Sequence, residues 1–492
     1  NLIIPINLKH ILHFSYYNEE GNTDILKYRL DRISNWYVCD EKDKYRSKEI
    51  SNWDNRPVKN AHAKKMNKYS IIEFIEKLPK EDSEKIFADH KPKIFFVDIE
   101  VEVSDGFPSP ERADNPITSI CIVTPNKQAI VLALKEMDFH QQKKVQLEIN
   151  NHFRKLNLSY NFIYKYFNSE YDLLYTYFVQ FMKKFPMVSG WNFIGFDWQY
   201  LVNRAKRIGI DPSISSPAGK LIGKDQLPLH VGVLDYMELY RKWDRTVDIK
   251  ENFTLDSAGE AVVGIKKVKY QGTLQDLYEK DFEKYIFYNI IDTALVQLIH
   301  EKLKTVEIVL TLANMCKMSL YKAASPVAIT ESLICRELLL MNKVMASDWN
   351  SVDNGKSAQY AGAYVKTPIV GMHRGVACFD FASLYPSVMR QMNVSPDSFI
   401  KKIDPDWNSL KAPIFEHLDK NHYGKKMSNE KRKEEIDAIP GDKIISVTGA
   451  IYKSEESILK RVLTKLYSER KMYKKKSFEY QLVAQELENH LK

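Results

Sequence analysis

The chain has 492 residues, 44% of them hydrophobic, enough for proper cores and about three or four domains. The formal net charge is +8, and five scattered cysteines, Cys39, Cys121, Cys316, Cys335 and Cys378, offer no close pair for zinc or a redox motif. No run approaches the roughly 20 apolar residues of a membrane helix, and Asn1 to Leu8 lacks a secretory core, so membrane and export readings fall away and a cytoplasmic globular protein is expected.

Residues 1–92 mix short apolar runs with polar turns and read as a small α+β domain without visible chemistry, completed by about 309–351. Ile94-Phe95-Phe96-Val97 then makes an apolar run of strand length, and acids follow it at once. Strand-like runs at 117–123, 129–134, 187–191 and 232–239 alternate with helical ones such as 173–184. This predicts an α/β domain over 93–308, built on a mixed sheet with helices on its faces. A long helix is expected over 285–303, helical spacing through 306–340, and a linker of small residues over 359–368. A further strand over 375–379 ends in Asp380, opening a segment that runs to 456. Within it the charged stretch 419–435 reads as a surface insertion. From Ser457 a helix continues to Lys492, with nine Lys/Arg against four Glu. That excess fits either phosphate contact or a solvated helix face.

Asp98 and Glu100 are two apart on a strand and so project from one face. Tyr288 and Asp292 are four apart on a helix and share a face too, which lets a phenol orient water beside a metal-binding carboxylate. Clustered oxygen ligands are what two-metal phosphodiester hydrolysis needs: one ion generates hydroxide, and both stabilise transition-state charge. Asp98-Ile99-Glu100, Asn192-Phe193-Ile194-Gly195-Phe196-Asp197 and Tyr288-Asn289-Ile290-Ile291-Asp292, in this order, resemble the three exonuclease motifs of family B DNA polymerases. Asp98 through Pro108, and Val233-Leu234-Asp235-Tyr236, resemble the T-even-phage members of that family. The resemblance implies a DnaQ-like, ribonuclease-H-like fold for 93–308, with Asp98, Glu100, Asp197 and Asp292 holding two Mg2+ (or Mn2+) ions. It further implies Tyr288 as the water-orienting residue and Asn192, Phe193 and Phe196 near a frayed primer end. Asp235 and Asp256 read as helix or turn caps.

Asp380-Phe381-Ala382-Ser383-Leu384-Tyr385-Pro386-Ser387 resembles the first palm motif of the same family. By that resemblance Asp380, with Phe381 beside it, binds a second pair of metal ions. Ser383 and Leu384 then meet the triphosphate of an incoming dNTP, and Tyr385 lies under its sugar, excluding a 2′-hydroxyl by clash. Arg470 and Lys474, four apart, share a helix face suited to a triphosphate, and Leu466 to Lys471 resembles the family's first fingers helix. Tyr360 and Gly362 resemble the linker that touches the template strand. Implied partners are primer–template DNA, single-stranded 3′ ends, dNTP and a sliding clamp, with the bacterial host cytoplasm as the place of action of a phage enzyme. No second palm acid and no thumb follows Lys492. The expectation is an N-terminal half with 352–456 as partial palm and 457–492 as a fingers helix, nuclease-competent and alone polymerase-incompetent, either truncated or completed by a second polypeptide. Two other readings stand beside it: a stand-alone exonuclease that uses the palm as a DNA-holding scaffold, and a non-enzymatic DNA-positioning subunit.

Overall fold

Alternation of apolar and polar residues builds the sheet on which the first acidic pair sits. The protein, here a computed structural model, is described over residues 2–6, 11–103, 106, 108–243, 252–265, 272–347, 365–410, 415–416 and 426–491. It divides into two compact units, one of residues 1–31 and 78–329, the other of 32–77 and 330–492. These lines of division differ from the four segments expected from sequence. No described helix is long and apolar enough to cross a membrane.

In the first unit an antiparallel sheet of β1 (Leu2–Ile6), β2 (Ile11–Tyr17) and β3 (Thr23–Arg29) precedes a six-stranded mixed sheet. The larger sheet comprises β4 (Ile94–Val101), β5 (Ile117–Val123), β6 (Gln128–Ala133), β7 (Asn161–Tyr166), β8 (Met187–Gly190) and β9 (Gly232–Asp235). Its order is β7-β6-β5-β4-β8-β9. The pairs β4–β5 and β5–β6 are antiparallel, whereas β6–β7, β4–β8 and β8–β9 are parallel. Parallel pairs need crossovers, and helices supply them: α1 (Phe139–Phe153) before β7, and α2 (Glu170–Thr176) before β8. Between β8 and β9 runs α3 (Asp197–Arg207). After β9 come α4 (Tyr236–Trp243), α5 (Leu255–Val263) and the long α6 (Phe282–Leu303).

On β4 the residues Val97, Ile99 and Val101 enter a core shared with Trp198, Leu201 and Phe178. By the period of two, Asp98 and Glu100 face the other way, toward the side on which α6 lies. Gly190 on β8 permits a close approach to β4, since a Cβ there would collide with the carbonyl of Val97.

Three sequence expectations change here. The run 232–239 breaks after Asp235, whose Oδ1 accepts from Met237 N at 3.1 Å and Glu238 N at 3.4 Å; it caps α4 and so ends the strand. Asp256 lies inside the first turn of α5, and the cap is Thr254, which accepts from Ser257 N. The helical run 173–184 is α2, one π turn at Tyr177–Phe181 and a 3₁₀ turn at Met182–Lys184, an arrangement that buries the adjacent rings of Tyr177 and Phe178 together.

In the second unit small cores gather around Val58, Tyr69, Cys335 and Val344 and around Ile334, Leu338 and Ile458. A three-stranded antiparallel sheet holds β10 (Phe399–Lys402), β11 (Lys443–Ile445) and β12 (Ala450–Lys453), with β12 central. The strand expected over 375–379 does not form. Among the described residues no partner pairs with it, Val376 is 75% exposed and Phe379 91%, and an unpaired strand gains no ladder to offset its ordering. In the charged stretch a helix, Asn429–Asp437, starts at the Ser428 cap.

The helix α7 (Leu384–Gln391) packs on α8 (Ile458–Leu491). Arg390 Nε donates to Thr464 Oγ1 at 3.1 Å, and its guanidinium lies 5.0 Å from the Tyr467 ring centroid. The start of α8 is fastened by Asn393, whose Oδ1 accepts from Ser457 N, and by Asp397, whose Oδ2 accepts from Ile458 N. Beyond Arg470 every described α8 side chain is exposed.

Candidate active site

Four acidic residues of the first unit, Asp98, Glu100, Asp197 and Asp292, lie on β4, α3 and α6 where these elements adjoin. Asp98 stands opposite Cys121 on β5 and Glu100 opposite Ser119, and the register shifts directly after Glu100. Such irregularities re-aim side chains at the end of a strand. Asp197, the first residue of α3, is buried, and its Oδ1 accepts from Ile99 N at 3.0 Å, so its carboxylate lies against the strand between the two acids. The loop that carries it is set by Asn192 in the left-handed region at φ 59°, a conformation asparagine tolerates, and by Asp235 Oδ2, which accepts from Ile194 N at 3.1 Å.

From the opposite side α6 presents Tyr285, Tyr288, Asn289 and Asp292, spaced three and four apart. The Tyr285 hydroxyl lies 2.5 Å from Thr118 Oγ1, which donates to the Glu100 carbonyl and so ties the helix to the strand end. Asn289 Nδ2 donates to Asp98 Oδ2 at 2.8 Å. The Tyr288 phenol is hydrogen-bonded to Asp292.

The electrostatics show how near these groups are to one another. Burial, and next the charge of Asp98, push the Asp197 carboxyl well above the usual carboxylate range, with Asp235 adding to the effect. Burial raises the Tyr288 phenol strongly, and Asp292, Glu100 and Asp98 raise it further, so the hydroxyl keeps its proton at any ordinary pH. Cys121 beneath them is raised by burial and by Asp98, Glu100 and Asp292. The site is a set of mutually repelling carboxylates in a poorly solvated place.

Among the described residues no three or more His, Cys, Asp and Glu side chains are grouped so as to hold a metal ion. Asp98 is turned to an amide and Asp197 to a backbone N–H, so the acids adjoin without forming a ready coordination shell. The donor chemistry nevertheless fits hard divalent cations: it is all oxygen and anionic, and cations would relieve the repulsion that lifts Asp197.

The other site residues expected from sequence fare differently. Phe193 is fully buried and packs near Trp198, so its ring has no face to offer a base, whereas Phe196 is partly exposed. Tyr360 and Gly362 lie outside the described residues. In the second unit Asp380 and Phe381 sit in an exposed segment without regular structure. Ser383 is left-handed at φ 53°, Leu384 and Tyr385 open α7 with Tyr385 75% exposed, and Arg470 and Lys474 are exposed on α8. The α7–α8 packing brings two of the helices that bear these residues together. Asn289 and Ser119 escaped the sequence reading, since the partners that give them a role lie far away in sequence.

Comparison with known proteins gives two family matches. Residues 32–227 match the family model for the exonuclease domain of family B DNA polymerases, and residues 314–483 match that for family B DNA polymerase. The chain is 28% identical over 415 residues to the DNA-directed DNA polymerase of Escherichia phage RB69, covering 79% of this chain and 43% of that protein. It is 28% identical over 316 residues to the DNA-directed DNA polymerase of Enterobacteria phage T4, covering 62% and 32%. The family B DNA polymerase of the archaeon Pyrobaculum calidifontis shares the fold with a TM-score of 0.58 at 15% identity, over 97% of this chain and 63% of that one. The chain thus spans less than half the length of these two phage relatives.

Proposed function

The chain belongs to the family B DNA polymerases, and from that premise we propose that its first unit is a 3′–5′ exonuclease that removes nucleotides from single-stranded primer ends during DNA replication. The observation that supports this reading is that Asp98 acts on Asp197 through its charge while Asp292, Glu100 and Asp98 all act on the protonated Tyr288, so the four acids adjoin one phenol-bearing patch. These four carboxylates would hold two Mg2+ or Mn2+ ions, which supply an activated water and balance charge on the phosphate. The chain's own residues do the remaining work. Tyr288 donates its O–H to Asp292, which holds the phenol, and its oxygen lone pair accepts from the attacking water and so orients it; Phe196 and Asn192 border the place of the terminal base.

For the second unit we propose a part of the polymerase site: Asp380 and Phe381 for metal ions, Ser383, Leu384 and Tyr385 for the dNTP, Arg470 and Lys474 for its triphosphate, and Tyr360 and Gly362 toward the template. Completion needs the further palm and thumb, on a second polypeptide or on more of the same chain. Apolar side chains that α8 leaves in solvent, among them Phe478, Tyr480, Val483 and Leu487, support such a partner. A sliding clamp and a bacterial cytoplasmic setting are proposed by analogy with the family alone.

The test uses the full chain, Mg2+ and a 5′-labelled single-stranded oligonucleotide. Wild type should shorten it stepwise from the 3′ end, and Asp98→Ala with Glu100→Ala should not. Degradation that persists in the double variant, or is absent from wild type, defeats the nuclease reading.

A further inference from the structure

Asn289 is a polar residue with no exposed surface, in a helix whose neighbouring positions are Ile290 and Ile291. A buried amide is costly unless both ends are bonded. Here both are: Nδ2 donates to Asp98 Oδ2 at 2.8 Å, and Oδ1 accepts from Ser119 Oγ at 3.1 Å. Ionised Asp98 can only accept, so the NH2 end must face it, and the serine hydroxyl fixes the carbonyl end. A reversed amide would set oxygen against carboxylate. Ser119 is itself fully buried and lies directly across from Glu100 on the neighbouring strand, while Thr293 Oγ1 donates to the Asn289 carbonyl and anchors its backbone. One rigid bridge therefore runs from β5 through α6 to the acid on β4.

We propose that Asn289 is a positioning residue of the nuclease: locked by Ser119, its amide sets the direction in which the Asp98 carboxylate faces and hence how well Asp98 receives a divalent cation. This rests on the nuclease reading above. Asn289 touches neither DNA nor the attacking water; it acts through Asp98. Partners of this kind typically change metal affinity or activity by about 10–100-fold when removed.

The experiment compares full-length wild type, Asn289→Ala, Ser119→Ala and Asp98→Ala in two readouts. One is Mn2+ binding without DNA, by isothermal titration calorimetry. The other is single-turnover degradation of a single-stranded oligonucleotide across a Mg2+ series. Asn289→Ala should weaken Mn2+ binding by about tenfold or more and raise the Mg2+ needed for half-maximal rate by a similar factor, with the DNA concentration dependence unchanged. Ser119→Ala should shift both in the same direction by less. A folded Asn289→Ala that binds Mn2+ and cuts as wild type does overturns the proposal. If that variant fails to fold, Ser119→Ala decides, and wild-type Mn2+ affinity there overturns it equally. Wild type that neither binds Mn2+ nor degrades DNA removes the nuclease reading instead, a result distinct from either.

Discussion

The Tyr288 hydroxyl keeps its proton for the bond to Asp292, and its surroundings are the reason. Burial comes first, and three carboxylates follow, each of which would repel a phenolate. Tyr288→Phe removes the hydroxyl without changing the ring, so the packing of α6 should survive. Degradation of a single-stranded oligonucleotide should slow by about a hundredfold at saturating Mg2+, with melting temperature unchanged. An unaltered rate would make Tyr288 a packing residue.

The placement of α3, and so of Asp197 at its start, depends on an ion pair near its other end. Arg204 faces Glu170 in a bidentate contact, Nε to Oε1 at 2.9 Å and Nη2 to Oε2 at 2.7 Å, with both side chains about nine-tenths buried. Arg204 Nη1 also donates to the carbonyls of Ala113 and Asp114, and Glu170 Oε1 accepts from Ile117 N at the start of β5. Removing one partner strands a buried charge. Arg204→Ala should cost about 3 kcal/mol or more in thermal unfolding. Arg204→Lys should recover little, because an ammonium cannot match the fork. A variant as stable as wild type would show that the pair is solvated in solution.

Within the first unit the small N-terminal sheet meets the large one at a pair of histidines. His13 on β2 and His230 before β9 stack with ring centroids 5.6 Å apart, and Ser15 hydrogen-bonds His230 Nδ1. Burial, His13 and Lys27 lower His230 to a pKa of about 4. In the unfolded chain it titrates near 6.5, so as pH falls below that value only the unfolded state gains the proton. Stability is therefore complete above about pH 6.5, falls between 6.5 and 4, and levels off below. His230→Asn suits the left-handed backbone at φ 70° and removes the titration. Between pH 7 and pH 5 wild type should lose more melting temperature than this variant does. Equal losses would exclude the histidine pair as the cause.

The sequence by itself determined the parts of this protein that depend on local order. The strand over Ile117–Val123 is rich in β-branched residues, buried throughout, and it forms where expected; the period of two put Asp98 and Glu100 on one face, and a four-residue step put Tyr288 beside Asp292. The motif wording identified the family, because long strings of residue types survive when overall identity is low. Only the tertiary structure decided what depends on distant partners. Asp235, legible as a cap, also became a brace for the Asp197 loop because its second oxygen reaches the distant Ile194 N. Phe193 went into the core rather than toward a base because Trp198 and its neighbours close over it. The apolar run before Asp380 did not become a strand, since a strand is defined by the ladder beside it and none pairs there among the described residues. Asn289 carried no chemical signal of its own; its meaning arises from Ser119, 170 residues away, and Asp98, 191 away, a juxtaposition that exists only once the sheet and helix have packed.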